Sequence, residues 1–93
     1  MSAITLDTNV VRADGLFSTD LDDETILMSI EQGAYYGMEQ TARRTWDLLA
    51  TPQKVSQLCT RIAEEYKVAP EVCTPDILVF LEELLHEGLI VTL

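Results

Sequence analysis

Ninety-three residues, 47% of them hydrophobic, make one domain with enough apolar surface for a single packed core, and a composition unlike that of a disordered chain. Six basic residues stand against sixteen acidic ones, a net charge of −10, which disfavours nucleic acid and anionic membrane surfaces as partners. The longest apolar run falls far short of the roughly 20 residues that span a bilayer, and no basic segment precedes an apolar one at the N-terminus, so a cytoplasmic protein is expected.

The first twelve residues carry little pattern, although Val10 and Val11 can begin a strand. Asp14-Gly15 is a turn signal. Residues 16–21 then alternate Phe17, Thr19 and Leu21 against Leu16, Ser18 and Asp20, as a strand does. After the polar break Asp22-Asp23, residues 25–31 are the clearest strand: Ile26, Met28 and Ile30 share one face, and Thr25, Leu27, Ser29 and Glu31 the other. Gln32-Gly33 predicts a tight reversal into a second strand at 34–38, with Gly33 supplying a positive φ. A two-residue loop would set Ile30 opposite Tyr35 and turn Tyr36 to the face of Ser29; a longer loop leaves that phase open.

Three helices follow. Residues 39–50 place Ala42, Thr45, Trp46 and Leu49 on one stripe, with Arg43 and Arg44 outside. Thr51-Pro52 has the form of a cap followed by a first-turn proline, and Val55, Leu58, Cys59, Ile62, Ala63 and Tyr66 then repeat at helical spacing. A connector over 67–73 leads to Thr74-Pro75-Asp76, which repeats the cap signal and starts a helix ending near Glu87, with Gly88 as its left-handed cap. Ile77, Phe80, Leu81, Leu84 and Leu85 form its apolar face, and Leu78 and Val79 widen that face beyond one core contact. Residues 89–93 return as a short strand or pack on the core. Strands first and helices after predict an α+β fold: an N-terminal three-stranded antiparallel sheet followed by three helices, with the outline of a winged helix-turn-helix.

Catalytic chemistry finds little support. Cys59 lies on an apolar stripe as a small buried hydrophobe, and Cys73 stands beside the expected helix start with no partner base. Two cysteines and His86 do not make a zinc site, and there is no phosphate loop or nucleophile elbow. No enzyme activity, metal or cofactor is expected.

In order and spacing, TILMSIEQGAYYGMEQTARRTWDLL, VSQLCTRIAEEYKVAPEV and DILVFLEELLHEGLI resemble the PqqD-like proteins, also called RiPP recognition elements, over residues 16–91. The specific parts are the tyrosine-bearing arm 33–37, the Ala42/Trp46/Leu49 helix, Glu65-Tyr66, Phe80-Leu81 and Glu87-Gly88-Leu89. Glu39 and Lys54 depart from the asparagine and threonine that usually cap the first two helices of that family.

The resemblance implies a non-catalytic adaptor. It would bind the leader of a ribosomally made precursor peptide as an added strand and present it to a modifying enzyme, such as a radical SAM protein, a leader peptidase or a macrocyclase. Carried over by position, the peptide lies along Ala34, Tyr35, Tyr36, Gly37 and Met38, in a groove completed by Asp76, Ile77, Val79, Phe80, Glu83 and Leu84. An unpaired edge offers backbone groups to any extended chain, so a homodimer without ligand is also expected. The alternative is a winged-helix DNA-binding regulator, against which the acidic third helix argues.

Overall fold

The structure, a computed structural model, describes residues 4–22, 24–29 and 33–93. It has two three-stranded sheets and three helices, in the order β1 (Asn9–Arg12), β2 (Leu16–Leu21), β3 (Glu24–Ser29), β4 (Ala34–Glu39), α1 (Gln40–Leu48), β5 (Gln53–Lys54), α2 (Val55–Tyr66), α3 (Pro70–His86) and β6 (Ile90–Thr92). The α+β class and the sheet-then-helices plan are those expected. Ile30, Glu31 and Gln32 of the expected strand end and turn, and Asp23 of the polar break, lie outside the described residues.

One sheet is the meander β2-β3-β4, antiparallel throughout. Met28 faces Tyr35 and Leu27 faces Tyr36. The register is offset by two residues from the one that sets Ile30 opposite Tyr35, so each side chain keeps its expected face. The inward face carries Thr25, Leu27 and Met38, all buried, whereas Met28 across the sheet is 36% exposed. The buried threonine is satisfied: its hydroxyl donates to Asp20 Oδ1 at 2.7 Å.

The second sheet, β5-β1-β6, is built from segments distant in sequence. Its margins bond back into the body of the protein: Arg12 N–H donates to the Leu49 carbonyl, Ala13 N–H to Leu89 and Val55 N–H to Thr8. Val10 and Ile90 enter the core with Trp46, Leu49, Leu58, Ile62 and Leu81. The Arg12 guanidinium lies 4.6 Å from the Trp46 ring centre and donates twice to the Trp46 carbonyl, at 2.7 and 3.0 Å. It thereby adds to the Leu49 N–H bond on a carbonyl at the end of α1.

The helix boundaries differ from expectation in three places. Thr51-Pro52 does not open α2; Gln53 and Lys54 pair with β1 first, and Lys54 is the N-cap. Glu39 and Lys54, the two departures from the family pattern, both sit at N-cap positions and make no side-chain capping bond. Thr74-Pro75 does not open α3 either; Ala69-Pro70 does, because Pro70 already supplies a first-turn proline with the right φ. Pro75 therefore lies inside the helix, where it forgoes one backbone bond. At the other end Gly88 has φ 75°. Its N–H reaches the Leu85 carbonyl and the Leu89 N–H reaches Leu84, a Schellman closure with Leu84 and Leu89 both buried.

Candidate functional site

Among the described residues β4 is hydrogen-bonded on one side only, to β3. The described N-terminal residues do not fill its other side: β1 is taken up by β5 and β6, and the Ile4 N–H bonds Glu82 Oε1 on α3. Half the backbone groups of β4 thus point to an open edge, which can pair with an extended chain. Abruptly after Glu39, Gln40 takes φ 51° and turns the chain into α1.

That turn sets the first half of α1 against a cleft of about 500 Å³ between the helices. Thr41 and Ala42 line it from α1, Tyr66 from the end of α2, and Val72, Asp76 and Phe80 from α3. Its walls are mostly apolar, with Asp76 as a charged group on the rim. Along α3, Val72, Asp76, Val79 and Glu83 recur at helical spacing and are all exposed, so the helix keeps one bare stripe opposite the face it buries. The edge offers unpaired backbone groups, and the cleft and stripe offer exposed apolar side chains.

The expected peptide-binding residues separate by orientation. Tyr35 faces outward and is 71% exposed; Ala34 and Tyr36 are half-buried on the inward face. The Tyr36 hydroxyl donates to Glu87 Oε2 at 2.9 Å and ties β4 to the end of α3. Partial burial, and then Glu87, raise its phenol above the ordinary value. Gly37 is exposed, and the Glu24 carboxylate occupies the space where a Cβ would stand. Asp76, Val79 and Glu83 are exposed, and Phe80 is half-buried in the cleft wall. Met38, Ile77 and Leu84 are core residues that hold the two flanks in place.

Thr41, Ala42, Thr45, Ile62, Tyr66, Val68, Val72 and Cys73 line the cleft and are not among the expected binding residues. Val72 and Cys73 fall in the connector expected over 67–73, and the Ala69-Pro70 dipeptide is the signal that places them on α3. Tyr66 falls last on the α2 stripe, where a helix runs past its partner; it is 43% exposed and forms cleft wall.

Electrostatics near the cleft is structural. Arg44 makes a two-pronged contact with Glu65, at 2.6 and 3.0 Å, which with Arg61 holds that carboxylate below its ordinary value. Burial pushes the Cys59 thiol up, as suits an inert core residue, and Cys73 Sγ lies 3.8 Å from the Cys59 carbonyl oxygen. Among the described residues no group of histidine, cysteine or carboxylate side chains is arranged to hold a metal, and no helix is long and apolar enough to cross a membrane.

Comparison with known proteins meets this geometry. The chain matches the family described as coenzyme PQQ synthesis protein D (PqqD) over residues 24–90. No curated protein sequence matches significantly. One similar solved structure is TbiB1 in complex with the TbiA(beta) leader peptide. It is 28% identical with a TM-score of 0.78, over 86% of this chain and 93% of that one. Another is the PqqD truncation of Methylobacterium extorquens PqqCD, a functional stand-alone RiPP recognition element. It is 17% identical with a TM-score of 0.80, over 97% of this chain and 96% of that one.

Proposed function

This chain belongs to the PqqD family, and from that premise we propose that it is a non-catalytic adaptor that captures the leader of a ribosomally made precursor peptide. The observation that carries the reading is the β4 edge, bonded on one side only among the described residues, together with an apolar cleft between α1 and α3. The leader adds as a strand along Ala34, Tyr35, Tyr36, Gly37 and Met38. Backbone hydrogen bonds there supply affinity, and alternate side chains enter the cleft at Phe80 and pass Val79. Asp76 and Glu83 favour lysine or arginine in the leader. The likeness to a structure that holds a leader peptide supports the same reading.

The adaptor works in the cytoplasm and hands the bound precursor to a separate modifying enzyme: a radical SAM protein, a leader peptidase or a macrocyclase. Without leader, the same edge is open to a second copy of the chain.

The test is fluorescence anisotropy of the labelled leader encoded with this protein, read against wild type and Tyr35→Ser and Tyr36→Ser variants. Saturable binding, weakened about tenfold or more by Tyr36→Ser, is expected. Equal binding by all three proteins, or none by wild type, overturns the assignment.

A further inference from the structure

The meander has a second surface, its outer face, which the leader strand meets only at Tyr35. Its register places Phe17, Met28 and Tyr35 directly opposite one another across β2, β3 and β4. Their side chains share the outward face with Ile26, and they are 60%, 36% and 71% exposed. Isolated exposed hydrophobic residues are ordinary, but a row crossing three strands is a contiguous patch of the kind that marks an interface.

Charge identifies what covers it. From residue 13 through residue 42 the chain has seven acidic side chains and no lysine or arginine. Glu24 and Glu39 stand opposite one another at the end of the meander away from the aromatic row, on the same outward face. A second copy laid face to face with its strands running the same way would press these carboxylates together within a screening length of about 10 Å. An apolar row with carboxylates at one end instead fits an apolar surface flanked by lysine and arginine.

We propose that this outer face docks the modifying enzyme, through such a basic-rimmed apolar patch on that enzyme. The inference rests on the leader reading above and deepens it. A guest strand beside β4 becomes the fourth strand of this sheet, and every second leader side chain then lies on the outer face, next to Tyr35. The enzyme meets a composite surface, part adaptor and part leader, and it binds the loaded adaptor more tightly than the empty one.

The deciding variant is Phe17→Ser with Met28→Ser, at two exposed positions outside the leader groove. Anisotropy with the labelled leader serves both as fold check and as the first arm; affinity within about twofold of wild type is expected. In the second arm, calorimetry with the enzyme encoded alongside should show binding to the loaded double variant weakened about tenfold or more, and wild-type binding weakened by added salt. Unchanged enzyme affinity overturns the proposal, as does a loss of leader affinity equal to the loss of enzyme affinity. Sedimentation that finds a wild-type dimer dissolved by the double variant assigns the face to self-association and also overturns it. If wild type binds no leader at all, the leader reading fails. In that case enzyme binding to the empty adaptor that depends on Phe17 and Met28 sustains the docking face alone, and its absence sinks both.

Discussion

The two sheets of this protein have three strands each and are used in opposite ways. The β5-β1-β6 sheet is short, assembled from three distant parts of the chain and bonded at its margins to the surrounding loops, with Val10 and Ile90 locked into the core. The β2-β3-β4 sheet is a local meander with longer strands, but only one of its faces is buried and β4 has an open edge. The first sheet fastens the helices together; the second is held out from them as a surface. Strand length and pairing alone would suggest the reverse, because the meander carries more hydrogen bonds. What separates them is where each sheet puts its side chains and its unpaired backbone.

Truncations at the seam of the closed sheet should have the largest effects. Trp46→Ala empties the site on which Arg12 stacks and should cost about 3–5 kcal/mol of unfolding free energy, measured by urea denaturation. Ile90→Ala should cost about 2–4 kcal/mol in the same assay. If Phe17→Ser on the meander's outer face proved as damaging as either, the contrast between a fastening sheet and a displayed one would be lost; a change within about 0.5 kcal/mol is expected there.

Ala42→Phe sharpens the comparison from the other direction. Ala42 lines the cleft, so a phenyl ring there fills space that the proposed guest chain would enter. Leader affinity should fall about tenfold with little change in the urea midpoint. A folded variant with undiminished affinity would separate the cleft from the binding edge.

The smallest effect concerns pH. The Arg44–Glu65 pair depresses the carboxylate, so its contribution is present above the ordinary glutamate value of about 4.3 and is lost as the pH falls through the lower folded value. Replacing Glu65 with glutamine should remove that part of the acid sensitivity, read as a flatter melting temperature against pH below about 5. An unchanged profile would mean that the pair has no stabilising role.

Much of the open sheet was legible in the sequence, because its information is local. Alternation at 16–21 and 25–29 and the turn at Gly33 define a meander, and Tyr35 and Tyr36 fall on the faces that a two-residue loop predicts. Alternation could not say which face was inward. Ile26 and Met28 look as suited to a core as Thr25 and Leu27, and the choice is made by the helices that pack on Leu27 and Met38. The closed sheet was nearly invisible: strands of two to four residues show no period, and their partners lie some 40 to 80 positions away. The start of α3 was misplaced because Ala69-Pro70 and Thr74-Pro75 offer the same proline signal, and the threonine favoured the wrong one. The cost of that choice fell on the site, since Val72 and Cys73 turned from connector into cleft wall.

Amide hydrogen exchange, followed by NMR with and without the leader, tests the edge most directly. Addition of leader should slow exchange at outward-pointing amides of residues 34–39 and leave β2, at the far side of the same sheet, unchanged. Protection that appears on β2 instead, or on neither strand while leader is bound, would contradict the account.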